Sequence, residues 1–205
     1  MIDSLFRSIF HYFRPIRIKG SNNIYHCESR IGRKFYLLVG GNYNDIRIGS
    51  GCVLSNTSIF VYGNNNRIIV SDKVRFLGPC KIVMQGNAEL LIGYNSGIRG
   101  VEFNLKQARI HVGELCMFSY GIVLRNHDSH RLIDSTTNQV INQPKDIVLG
   151  NHVWIGQNAT ILKGANVGDN SVIGFGSVVT SGCEPGSVLA GVPAKVVRRS
   201  INWDY

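Results

Sequence analysis

Hydrophobic positions in the C-terminal third of the chain recur every six residues. Across residues 147–180, IVLGNHVWIGQNATILKGANVGDNSVIGFGSVVT, an aliphatic residue falls at Leu149, Ile155, Ile161, Val167, Ile173 and Val179. Four positions after each of the first five stands something compact: Val153, Ala159, Ala165, Ser171 and Ser177. Glycine follows the aliphatic at Gly150, Gly156, Gly168 and Gly174. A period of six fits neither a helix, at 3.6, nor an alternating strand, at two. It predicts a parallel β-helix, in which three short strands close each triangular coil. The aliphatics then point inward and the compact residues fit near the corners. The glycines are expected to admit a turn conformation that a Cβ hinders.

The same beat is fragmentary between residues 31 and 124. Ile48, Cys52 and Leu54 make one fragment, and Val70, Val74, Phe76, Cys80 and Ile82 make another. Ile92 and Ile98 make a third, followed by Val112, Cys116, Phe118, Ile122 and Leu124. The fragments are out of phase, so short insertions are expected to bulge from the corners. Asn- and Gly-rich pieces such as residues 40–42 and 63–66 suit left-handed turns. With about 18 residues to a coil, residues 31–180 would supply roughly seven or eight coils.

Three segments leave the pattern. Residues 1–19 place Leu5, Phe6, Ile9, Phe10 and Phe13 on one helical face, ended by Pro15. This predicts a short helix that either seals the solenoid end or touches anionic lipid. Residues 126–146 interrupt the repeat with polar residues, a proline, His127, Asp128 and His130. A loop that long inside a repeat is usually functional or disordered. After residue 182 come a strand, a turn and a basic tail with Lys195, Arg198 and Arg199. The expected organisation is therefore an N-terminal segment (1–20), a solenoid (21–182) carrying the loop, and a C-terminal tail (183–205).

Composition narrows the partners. Twenty-two basic against 13 acidic residues give a net charge of +9, which favours an anionic partner. The basic residues are scattered and no nucleic-acid module appears, so nucleic acid is not the expected partner. Five cysteines without a close pair do not make a disulfide framework. Cys52, Cys80 and Cys116 occupy compact-residue positions and read as core filler in a reducing compartment. No apolar run is long enough to span a membrane.

These stretches carry a resemblance. HVWIGQNATILKGANVGDNSVIGFGSVVT followed by AGVPAKVVRR resembles the C-terminal half of the hexapeptide-repeat acyltransferases. CMFSYGIVLRNHDSHRLID and INQPKDIVLGNHVWIG are most similar to bacterial O-acetyltransferases of capsule and other surface polysaccharides, including those acting on sialic acid polymers. The resemblance is close over residues 112–199, architectural before that, and absent over residues 1–20. It implies an all-β, left-handed parallel β-helix, a homotrimer with active sites between subunits, acetyl-CoA as co-substrate, a saccharide acceptor and no metal. The reducing compartment read from the cysteines points to a cytoplasmic enzyme, and the lipid reading of residues 1–19 would place it in peripheral contact with the inner membrane.

The chemistry agrees. A sugar hydroxyl attacking a thioester needs a base, and histidine suits that at neutral pH. His130, 24 residues before Trp154 and in a D-x-H pattern, is the first candidate; His127 is the second. Asp128 or a backbone carbonyl would hold the imidazole tautomer. By position in the family, Trp154 borders the acetyl end of the cofactor. Gln157, Phe175, Thr180 and Ser181 line its groove, while Lys195 and Arg198 meet its phosphates. Two departures stand out: Ser181 where relatives often carry Lys or Arg, and Phe175 in place of a small residue. The rival readings are N-acetylation of an amino sugar, a metalloenzyme using His111, His127, His130 or His152, and a non-catalytic scaffold.

Overall fold

The computed structural model describes residues 15–204. The chain is all-β in that span, a left-handed parallel β-helix of about eight turns. It winds over three faces in a fixed order. The first face stacks Ile16–Lys19, Tyr36–Gly40, Thr57–Tyr62, Cys80–Gln85, Val101–Lys106, Ile122–Arg125, Thr160–Leu162 and Val178–Val179. The second runs from Ile24–Cys27 to Asn166–Val167, and the third from Val53–Leu54 to Val188–Gly191. Successive strands on each face pair in parallel, so every coil hydrogen-bonds to the next.

The hexads behave as the pattern requires. Leu149, Ile155, Ile161, Val167, Ile173 and Val179 are buried, and so are Val153, Ala159, Ala165, Ser171 and Ser177. Cys52, Cys80 and Cys116 are also buried, and all five cysteines are free thiols. Burial pushes the Cys116 thiol up to about 11. The glycines act differently from expectation. Left-handed backbone at the corners of this region belongs to His152, Asn158, Gly164, Asn170 and Gly176. Gly150 is needed for close approach instead: a Cβ there would sit 2.7 Å from the Asp169 backbone nitrogen of the next coil.

The N-terminal coils are wider, which corrects the expected corner bulges. Asp45 faces Arg67 and Arg67 faces Glu89, a step of 22 residues. Val148 faces Asn166, a step of 18. The extra residues lengthen the strands themselves: Thr57–Tyr62, Cys80–Gln85 and Val101–Lys106 each have six residues. Each gains a second inward side chain, Val61, Met84 or Leu105, all buried. At the corner between the first and second faces, asparagines form a ladder. Asn44 N and Nδ2 both donate to Asn23 Oδ1 at 3.0 Å. Asn66 N and Nδ2 donate to Asn44 Oδ1 at 3.0 and 2.8 Å, and Ala88 N donates to Asn66 Oδ1 at 3.3 Å. The ladder answers buried backbone donors that the wide turn leaves without strand partners.

The solenoid also begins earlier than the composition break suggests. Ile16–Lys19, expected within the amphipathic segment, is a strand paired with Tyr36–Gly40. The helical face through Leu5, Phe6, Ile9, Phe10 and Phe13 lies outside the described residues. At the other end Val188–Gly191 turns back on Ala194–Arg198 as an antiparallel pair.

Candidate active site

The long loop leaves the prism after Ile122–Arg125 on the first face and rejoins it at Ile147–Leu149 on the second. Its neck is closed by Asn126, a fully buried residue. Asn126 Oδ1 accepts from Lys106 N at 2.8 Å, and its carbonyl accepts from Lys145 N at 3.0 Å. The far end folds on itself. Asp134 Oδ1 accepts from Thr137 N and Thr136 N, and these contacts hold its carboxyl below the usual range. Ile133 bridges Val140 in antiparallel fashion. The loop is a fixed hairpin-like lobe.

Asn142 and Lys163, which the sequence reading missed, fasten that lobe. Asn142 Nδ2 donates to Asp128 Oδ2 at 2.7 Å and to the His130 carbonyl at 2.8 Å. Lys163 Nζ, from the next coil, reaches Asp128 Oδ2 and the Asn142 carbonyl. The hydrogen bond from Lys163 is the main cause that lowers the Asp128 carboxyl below its ordinary pKa. The hydrogen bonds of the Asp128 carboxylate thus go to Lys163 and Asn142. The Asp128 backbone reaches the imidazole: its carbonyl lies 3.0 Å from His127 Nδ1. A carbonyl only accepts, so Nδ1 carries a proton, which in the neutral ring leaves the lone pair on Nε2. His127 is half-buried at the loop root, whereas His130 is exposed. The His130 ring makes no hydrogen bond among the described residues.

A cleft of about 90 Å³ opens between His130, Asp128 and Arg131 of the loop and Lys106 and Gln107 of the coil before it. Beside the loop root, Asn104 breaks the alternation of its strand. It pairs with Arg125, is only 9% exposed, and its Nδ2 has no hydrogen-bond partner. Its signal in the sequence is a polar residue between Phe103 and Leu105, which a hexad count passes over.

The remaining candidates fall into two groups. Thr180 and Ser181 are exposed at the corner between the first and second faces, the corner that also carries the loop. Trp154, 43% exposed, stands on the third face. Gln157 and the 72%-exposed Phe175 follow at the corner from the third face to the first. Lys195 and Arg198 are exposed on the terminal strand of the third face. One chain does not bring His127 or His130 to Trp154. Trp203 was another omission. Its ring stacks on His152 at 4.0 Å, tilts against Trp154 at 6.1 Å, and its Nε1 donates to the His152 carbonyl at 2.7 Å. No group of three or more His, Cys, Asp or Glu side chains suited to a metal gathers among the described residues.

Residues 146–181 match the bacterial transferase hexapeptide family, six repeats. A polysialic acid O-acetyltransferase from Neisseria meningitidis is 34% identical over 156 residues, 70% of this chain and 67% of that protein. The solved structure of the polysialic acid O-acetyltransferase OatWY matches at a TM-score of 0.82 and 30% identity, over 90% of both chains. The chain belongs to the hexapeptide-repeat acetyltransferase family. The structure of the polysialic-acid-specific acetyltransferase NeuO agrees, with a TM-score of 0.78 and 30% identity over 93% of this chain and 82% of that one. Within the family it stands with the acetyl-CoA-dependent O-acetyltransferases of bacterial surface saccharides. Among the described residues, no helix is long and apolar enough to cross a membrane.

Proposed function

We propose that this enzyme moves an acetyl group directly from acetyl-CoA to a hydroxyl of an acidic surface polysaccharide, with His127 as general base. The observation that carries the reading is the His127 ring, whose Nδ1 is tied to the Asp128 carbonyl so that Nε2 is free to accept a proton. The acceptor hydroxyl gives its proton to Nε2 as its oxygen attacks the thioester carbon. The carbon–sulfur bond then breaks, and the departing thiolate takes the proton back from the imidazolium. No bond to the enzyme forms. The unpartnered Asn104 Nδ2, one strand below the loop root, is a donor for the developing oxyanion. His130, which lines the cleft under the loop, is the second candidate for the base.

The division of the site residues supports a homotrimer with shared sites. The loop corner of one copy would face the third face of its neighbour, bringing His127 to the neighbour's Trp154. Gln157, Phe175, Lys195 and Arg198 would then hold the nucleotide end of acetyl-CoA on that face, with Thr180 and Ser181 facing it from the loop side. Free thiols support a cytoplasmic location. The basic, amphipathic residues 1–19 support contact with the inner membrane.

Thiol release from acetyl-CoA against a saccharide panel tests the activity. His127→Ala should lower kcat about a thousandfold. His130→Ala should cost roughly tenfold or less, as expected of a group that only positions. The reverse ranking returns the base to His130, and full activity in the double variant removes the histidine mechanism. A sedimentation mass of one chain would remove the shared site.

A further inference from the structure

The third face carries a second basic feature that neither the loop nor the cofactor set uses. From coil to coil its outward positions read Val53, Arg75, Gly97, Met117 and Trp154. Around the middle of this stripe lies a cleft of about 170 Å³ lined by Arg75, Leu77, Gly97, Arg99 and Met117. The cleft exists because Gly97 leaves its rung bare: a Cβ there would meet only Arg75 Nη2, at 4.0 Å. Arg75 and Arg99 are exposed, and neither takes part in an ion pair among the described residues. Two guanidinium groups thus flank an apolar floor made by Leu77 and Met117. A guanidinium fork matches a carboxylate, and the apolar floor suits the face of a sugar ring.

Position along the stripe says which substrate this is. Lys195 and Arg198 lie toward the C-terminal end of the face from Trp154, the end assigned above to the phosphates of acetyl-CoA. The arginine cleft lies on the opposite side. With rungs about 4.8 Å apart, Arg99 and Arg75 stand roughly 10 and 14 Å from Trp154 along the axis. Donor and acceptor would approach Trp154 from opposite ends of one face. A single sugar at Trp154 would not span that distance, whereas a chain of sugars would.

We propose that Arg75 and Arg99 form a carboxylate-binding subsite that holds an acidic polysaccharide acceptor along the third face, two and three coils from Trp154. The proposal rests on the acetyltransfer reading for its direction and makes the acceptor a polymer with repeated carboxylates.

Its test measures both binding and turnover. Polysialic acid and polygalacturonic acid, each with its carboxyl-reduced neutral form, are titrated calorimetrically into the full-length protein and into Arg75→Gln/Arg99→Gln. Wild type should bind at least one carboxylated polymer roughly tenfold more tightly than its reduced form. The double variant should lose that preference while keeping its melting midpoint and its KM for acetyl-CoA. No preference in wild type, or the same preference in the variant, overturns the subsite. The two readings fail separately. Arginine-dependent binding without thiol release from acetyl-CoA upholds the subsite and sinks the acetyltransfer reading. Thiol release with unchanged binding in the variant does the opposite.

Discussion

Two halves of one solenoid solve the same packing problem at different widths. In the C-terminal half each coil takes 18 residues, and its interior is filled by one aliphatic and one compact residue per hexad. In the N-terminal half a coil takes up to 23 residues, as from Thr57 to Cys80, the strands lengthen to six, and extra large side chains such as Met84 and Leu105 enter the core. The wider turn needs a polar device at its corner, and the asparagine ladder supplies it. The loop falls where one width gives way to the other. Lys106, which ends the last six-residue strand, and Gln107, just past it, border the cleft under the loop. A repeat without that step would offer no ledge there. The contrast teaches that regularity makes the prism, and the change of width makes room for a site.

The largest stability effect should come from a corner glycine pressed against the next coil, as Gly150 is in the narrow half; a Cβ at Gly49 in the wide half would likewise sit 2.9 Å from the Asp72 backbone nitrogen. Gly150→Ala drives a Cβ onto the backbone of Asp169, which cannot move without displacing a coil, and should cost about 3 kcal/mol. Gly40→Ala in the wide half meets nothing within 4 Å and should leave stability within about 0.5 kcal/mol of wild type. Chemical denaturation midpoints for the two variants, with Gly49→Ala beside them, separate corner from strand end; Gly49→Ala should lose about as much as Gly150→Ala. Equal losses at Gly150 and Gly40 would mean that the close approach of the next coil does not set the cost.

This contrast also explains what could be read from the amino-acid sequence. The narrow half was legible because a period of six leaves no slack: each aliphatic and each compact residue has one place to go. The wide half kept the inward residues but hid the strand length, since two extra residues in a strand look like an insertion at a corner. Glycine was assigned the wrong task for a related reason. The sequence reports that a Cβ is missing, and only the stacked coils show that the next backbone lies against it. His127 and His130 were found from residue type, while the preference between them depends on one carbonyl contact. Asn142, Lys163 and Trp203 were missed because their partners lie 14, 35 and 51 residues away. The same distance in sequence concealed that Trp154 and the loop sit on opposite sides of the prism.

A smaller loss should follow from breaking the ladder. Asn66→Ala removes the acceptor for Ala88 N and the donor to Asn44 Oδ1, leaving buried polar groups without partners. The cost should be about 2 kcal/mol. Hydrogen exchange should report it as lost protection in the wide coils, with the amides of residues 160–180 unchanged. Loss of protection throughout would show that the two halves unfold as one unit.

The gentlest perturbation addresses the step itself. Asp128→Asn keeps the size of the side chain but removes the charge that Lys163 holds. Because the folded carboxyl is lowered, its stabilising contribution is present above the ordinary aspartate pKa of about 3.9 and fades as pH falls through the lower folded value. At neutral pH the variant should therefore exchange the amides of Leu132 and Lys145 faster than wild type and lose roughly tenfold in kcat through a displaced His127. The difference in exchange should shrink as pH drops below the carboxylate range, where both proteins carry a neutral side chain. A difference that persists unchanged at low pH would mean that amide geometry, and not charge, pins the loop to the narrow coil.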